Sequence, residues 1–407
     1  MTTAKSLLLG SLGGSVNWAR KLVVNSFAGL KGGSITLSQP GYTSIHLGEL
    51  DHPNNVEVHI LEPQVFARIL RGGSVAAGET YIDGLWRCSD LHALLQLLAN
   101  NQQQIDSLDR RLHWLSDGWM KLQHFFRRNH KRQAKKNILA HYDLGNGFYQ
   151  SFLDSQMQYS SALFAGQALS LEQAQNQKLK RICEQLQLSP DDNLLEIGTG
   201  WGGLAMYAAK HYGCKVTTTT ISDKQFSHVQ QQVKQQQLEH LITVLNKDYR
   251  DLSGEYDKLV SIEMIEAVGE QYLPGFAEIC SKRLKVGGRM LLQAITIDDR
   301  RFSAYRKSVD FIQQYVFPGG FLPSPSLLKQ LFSKQKLIPV QRLEMGLDYA
   351  QTLQHWHQRV VQQRHEGQQN FGFSEQFYRL WHFYFAYCEA GFRSHNIGTE
   401  QLTLVKQ

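Results

Sequence analysis

The chain has 407 residues, of which 42% are hydrophobic and 19% charged, with a formal net charge of +7. That apolar content can fill the cores of two or three domains, and it excludes a disordered tail protein, a collagen-like repeat and a small disulfide-knotted chain. The positive balance points to an anionic partner, either nucleic acid or a membrane surface.

In the opening MTTAKSLLLGSLGGSVNWAR the apolar run is broken by glycines, which argues against a cleaved leader. No apolar run approaches the ~20 residues that a membrane-spanning helix needs. From Ser34 to Leu61 the segments SITLSQPG, TSIHLGE and NVEVHIL favour strands. The helical patterns PQVFARILRGG and DLHALLQLLANN follow, the second with Ser89 as its expected N-cap. This predicts a small α+β domain over residues 1–125, with no nucleophile–base pair and no metal-ligand spacing. Leu112, Leu115, Trp119, Leu122, Phe125 and Phe126 then recur near helical spacing, and FFRRNHKRQAKK carries six basic residues and no acid. A basic amphipathic helix over 126–136 fits a membrane surface, and equally an interdomain helix with a solvated face. The five cysteines, Cys88, Cys183, Cys214, Cys280 and Cys388, are widely spaced and read as reduced thiols of a cytosolic chain.

From Asp192 strands and helices alternate. NLLEIG, KVTTTTI, ITVL, YDKLVSI and RMLLQAI read as strands, with GGLAMYAAKH, DKQFSHVQQQVKQQQ and LPGFAEICSKRL as helices and KVGG as a turn. Such alternation predicts an α/β, doubly wound, Rossmann-like parallel sheet. Gly198, Gly200, Gly202 and Gly203 follow the first strand and open a helix, formally a G-x-G-x-x-G turn that lets a ligand approach the backbone closely. A dinucleotide usually needs an acid at the end of the next strand, and KVTTTTIS has none. Asp248 and Tyr249 can set a carboxylate and a ring against an adenine, which favours S-adenosylmethionine.

The segments YDLGNGFYQSFLDSQMQYSSALF, LLEIGTGWGGLA, TTTTISDKQ, KDYRDL, EMIEAVG, QQYVFPGGFLPS, GLDYAQTLQHWHQR and FAYCEAGFR occur in this order. Together they resemble the cyclopropane-fatty-acyl-phospholipid synthase family of S-adenosylmethionine-dependent methyltransferases, clearly over residues 137–407 and more loosely over a lipid-engaging N-terminal domain. The resemblance implies transfer of a methyl(ene) carbon to the double bond of an unsaturated phospholipid acyl chain, at the cytoplasmic face of an anionic membrane. It implies no nucleic acid and no metal, and leaves the oligomeric state open with a homodimer as one option.

For the cofactor the resemblance implies Tyr159, Ser160, Gly198, Gly200, Gly202, Thr220, Ile221 and Gln225, with Asp248 and Tyr249 beside them. For the proton acceptor it implies a bound bicarbonate held by Glu266, the backbone at Ile295, Tyr349, Ser161 and Gln293. Ser161 and Gln293 stand where relatives carry Cys and His, and Ala267 where many carry His. A base held by Ser and Gln is expected to be held less firmly, which favours a methylated chain over a cyclopropane. Cys388 matches a cysteine of the family, although methyl transfer to an alkene needs no protein nucleophile. A lipid-binding relative without turnover is a further reading, opposed by the presence of Glu266 and Tyr349.

Overall fold

The computed structural model describes residues 17–102, 146–364 and 372–407. The amphipathic and basic stretch at 108–136 lies outside the described residues. The chain divides into two compact units, one of residues 1–123, 309–314 and 364–394, the other of residues 124–308, 315–363 and 395–407.

The first unit holds a four-stranded sheet of β1 (Ser34–Gln39), β2 (Tyr42–Gly48), β3 (Asn55–Ile60) and β4 (Trp86–Cys88), in the order β2-β1-β3-β4. Strict alternation in NVEVHI turns Val56, Val58 and Ile60 into the core. Helix Leu91–Asn100 is capped by Asp90 rather than by Ser89, because the Asp90 carboxylate accepts the Ala93 N–H at 3.0 Å. Ser89 Oγ instead accepts the Glu57 N–H at 3.1 Å, tying the helix start to β3.

Helix Glu375–Arg393 also belongs to this unit. Its aromatic face buries Trp381, Phe383, Tyr384 and Phe385, and Glu389 meets His92 at 2.8 Å. The expected continuous domain 137–407 is therefore interrupted twice, since 309–314 and 364–394 join the first unit. An amphipathic helix goes where its apolar face is covered, and periodicity alone does not say by what.

The second unit carries β5 (Asn193–Ile197), β6 (Lys215–Thr220), β7 (Ile242–Asn246), β8 (Tyr256–Ile262), β9 (Leu284–Ile297), β10 (Leu337–Glu344) and β11 (Ile397–Lys406). Their order is β10-β11-β9-β8-β5-β6-β7. Strands β5 to β9 are parallel, as expected, whereas β11 runs antiparallel between β9 and β10. The sequence reading did not anticipate β10 and β11, and KVGG falls within β9. Neighbouring residues of the central strands enter opposite cores: Leu195, Leu259 and Leu292 one, Leu194, Val260 and Leu291 the other. A sheet covered on both faces reads as continuous apolar runs for this reason. Chain order reverses between β5 and β8, and a crevice at the carboxyl ends of the strands follows from that reversal.

Candidate active site

Strand β5 ends at Ile197, and the glycines that follow adopt positive φ: 100° at Gly198, 52° at Gly200 and 87° at Gly202. A Cβ on Gly203 would lie 2.0 Å from Gln158 Nε2, so the helix start and the strap 156–161 touch through a glycine. A Cβ on Gly200 would meet no described atom within 4 Å, and Thr199 Oγ1 is buried without a hydrogen-bond partner among the described residues. Open space beside a glycine and an orphaned hydroxyl fit a nucleoside ligand. Thr220 Oγ1 donates to Gln225 Oε1 at 2.8 Å and accepts the Ser222 N–H at 3.1 Å, fixing the bend at Ile221. Arg250 grips Asp248 in a fork at 2.8 and 2.6 Å, which orients the carboxylate, while Tyr249 packs edge-on against Phe276.

The strap itself is heavily tied down. Tyr159 stacks on Trp356 with ring centroids 5.2 Å apart, and Lys178 donates to Ser160 Oγ at 2.8 Å and to Gln158 Oε1 at 3.2 Å. Lys178 reaches inward from helix Leu171–Leu186, whose start is set by a reciprocal capping box of Ser170 and Gln173. Helix Gly346–Gln362 holds the other side, with Thr352 Oγ1 accepting the Ala162 N–H at 3.0 Å.

The residues expected around the proton acceptor do come together, but around a side chain the sequence reading passed over. Glu263, the first residue after β8, accepts hydrogen bonds from the Ser161 backbone N–H (3.0 Å), Gln293 Nε2 (2.7 Å) and Tyr349 Oη (2.9 Å). Gln293 is itself oriented by Gln401, whose Nε2 donates to Gln293 Oε1 at 3.0 Å. Ser161 contributes its backbone only, since its hydroxyl donates to the Ala162 carbonyl at 2.9 Å. Glu266 sits one turn on, where Oε1 accepts the Ile295 N–H at 2.5 Å and Oε2 is out of solvent with no partner among the described residues. Glu263 has φ 48°, a left-handed conformation that a non-glycine residue holds at a cost of ~1–2 kcal/mol.

Charge in this group is constrained. Burial raises the Glu263 carboxyl above its ordinary range, offset by the bonds from Gln293 and Ser161 and by the nearby Lys178 ammonium. Glu266 is pushed up to about 8, first by burial and then by the Glu263 charge. Lys178 is pushed down to about 8 by burial, against the pull of Glu263 and Asp154. The Glu263 charge pushes Glu266 up and opposes the loss of charge at Lys178, so the three groups titrate as one coupled set. Aromatic faces stand beside it: Tyr349 meets Trp356 edge-on at 6.1 Å, and Phe152, Tyr149 and Trp201 continue the cluster.

Cys388 is set apart by its chemistry. It lies on helix Glu375–Arg393 of the first unit, and burial together with Asp310 drives its thiol pKa up, the wrong direction for a nucleophile.

A glycine turn at the carboxyl end of the first strand, on a seven-stranded sheet of this order, defines an S-adenosylmethionine-dependent methyltransferase. The chain belongs to the mycolic acid cyclopropane synthetase family, whose sequence profile matches residues 129–402. It is 35% identical over 364 residues to tuberculostearic acid methyltransferase UfaA1 of Mycobacterium tuberculosis, covering 87% of this chain and 84% of that one. It is 35% identical over 345 residues to the cyclopropane-fatty-acyl-phospholipid synthase of Escherichia coli, covering 84% and 85%. Among solved structures it is similar to mycolic acid cyclopropane synthase CmaA1 complexed with SAH and CTAB, with a TM-score of 0.62, 30% identity, and 69% and 99% of the two chains covered.

Proposed function

We propose that the enzyme adds the methyl carbon of S-adenosylmethionine to a cis double bond in an acyl chain of a membrane phospholipid, with Glu263 as the base. Bound S-adenosylmethionine supplies the electrophilic methyl group, and the alkene that takes it is left with a positive charge on the adjoining chain carbon. Tyr159, Trp356 and Tyr349 offer π faces to that charge in surroundings poor in water. Glu263 accepts a proton from the transferred methyl, and the freed C–H electron pair closes a cyclopropane, or forms an exocyclic methylene once a 1,2-hydride shift has brought the charge onto the methyl-bearing carbon. The observation that carries this reading is one carboxylate held by three donors beside an aromatic cluster.

A bicarbonate does not fit this set. The donors expected for it at Ser161, Gln293 and Tyr349 all serve Glu263, and the Ile295 N–H serves Glu266. No step here is routed through it. The expectation of a loosely held base changes accordingly, because a side chain fixed at three points does not diffuse away.

The membrane reading rests on the UfaA1 and Escherichia coli relatives, whose names specify fatty-acyl chemistry, and on the basic stretch of the sequence. Among the described residues no helix is long and apolar enough to cross a membrane, which accords with a peripheral approach to the lipid. The test is mass spectrometry of lipids from cells expressing the protein, together with purified enzyme on vesicles of cis-monounsaturated phospholipid. Acyl chains heavier by one methylene unit are expected, and unchanged lipids with S-adenosylmethionine bound would overturn the proposal.

A further inference from the structure

Lys178 has no part in the chemistry described so far, yet it is a fully buried lysine, which a protein keeps only when its charge is used or matched. Its Nζ bonds two neutral oxygens, Ser160 Oγ and Gln158 Oε1, and neither is a counter-ion. The anions that act on it are Glu263 and Asp154. Asp154 is already engaged by the backbone N–H groups of Gln156 (3.0 Å) and Gln158 (2.7 Å). Glu263 accepts the N–H of Ser161, the strap residue next to the Ser160 that Lys178 bonds, and is bonded also by Tyr349 from helix Gly346–Gln362 and by Gln293 from β9; the Lys178 charge acts on it from helix Leu171–Leu186, and it acts in turn on Glu266 of its own loop.

Three acids, Asp154, Glu263 and Glu266, are thus coupled to or through one ammonium and its neighbours beside the strap. We infer that Lys178 is a positioning residue whose charge keeps Glu263 ionised while Glu266 stays neutral, so that it sets the lower pH limit of methyl transfer. The inference rests on the reading of Glu263 as the base. A positive charge nearby favours the ionised carboxylate, and a second carboxyl whose remaining oxygen lacks a donor is the one to keep the proton.

The experiment measures single-turnover methyl transfer against pH at saturating S-adenosylmethionine, on vesicles of cis-monounsaturated phospholipid. In Lys178→Met the acid limb is expected to move up by a pH unit or more, so that the loss below the limb exceeds the loss on the alkaline plateau at least tenfold. Lys178→Arg keeps the charge and should leave the limb where the native enzyme has it. An unshifted limb in Lys178→Met, with the rate lowered equally at every pH, would overturn the inference and leave Lys178 as a support for Ser160. The base reading fails separately, if Glu263→Gln retains its rate. Should Lys178→Met not fold, carboxyl-13C glutamate NMR of the native enzyme decides, with signals assigned through Glu263→Gln and Glu266→Gln. Glu263 ionised and Glu266 protonated at neutral pH is the expected result; both ionised, or the reverse, contradicts it.

Discussion

Glu263→Gln is the most informative single change. Glutamine keeps the shape of the side chain, and its oxygen can take the place of Oε1, retaining the bonds from Ser161 and Gln293. Its amide nitrogen then faces Tyr349, whose hydroxyl must turn from donating to accepting. Such an exchange costs the fold about 1 kcal/mol, the worth of one ordinary hydrogen bond. The chemical loss should be far larger, because an amide cannot take a proton. A positioned base contributes roughly 100- to 10,000-fold. At about 1.36 kcal/mol per tenfold, that is roughly 3–5 kcal/mol on the barrier. The assay follows labelled methyl carbon into phospholipid acyl chains, with S-adenosylmethionine affinity by calorimetry and thermal unfolding as controls. Affinity and unfolding should stay near native while turnover collapses. A variant within threefold of native turnover would refute the assignment of the base.

Glu263→Gly places a glycine where φ is already positive and opens a carboxylate-sized space lined by the donors of Ser161, Gln293 and Tyr349. Added formate or bicarbonate should restore its turnover at least tenfold and leave the native rate unchanged; a native enzyme that stops when bicarbonate is removed would contradict this. Gly200→Val fills the open space at the turn and strains a left-handed residue, so calorimetry should show S-adenosylmethionine binding lost in a protein that still folds. Replacing the six basic residues from Arg127 to Lys136 with Gln should weaken binding to anionic vesicles, by up to about 1 kcal/mol per residue, and the difference should shrink with salt. Equal vesicle binding at low salt would make that stretch a plain linker.

Much of the second unit was legible because its strands are covered on both faces and so read as apolar runs such as LLEI and KLVSI. Strands β10 and β11 escaped notice because their partners are distant in sequence: Leu337 pairs with Lys406, and Ile397 with Ile297. Helix Glu375–Arg393 was visible as an aromatic helical stripe, but what covers the stripe is a tertiary fact. At the site, Ser161, Gln293 and Tyr349, expected around a bicarbonate, all bond Glu263 in the structure, Ser161 through its backbone N–H and not its hydroxyl. EMIEAVG contains two acids three residues apart, and the motif drew attention to the second. A left-handed backbone at the strand end turns Glu263 into the cradle, and no periodicity encodes that turn. Lys178 was hidden for a similar reason: in LEQAQNQKLKRICEQL it reads as one more polar helix residue, and only the packed strap reveals that it points inward.

The central claim is that methyl addition to an acyl-chain alkene is completed by Glu263 taking a proton from the transferred methyl. Turnover with S-adenosylmethionine carrying a trideuterated methyl group tests this, with mass spectrometry counting the deuterium retained in each modified chain. Loss of a methyl proton leaves two deuteriums, whether the product is a cyclopropane or a methylene, and that is the predicted count in the native enzyme. Three deuteriums retained would mean that the cation is resolved by losing a chain proton or by reduction, and would contradict the role assigned to Glu263.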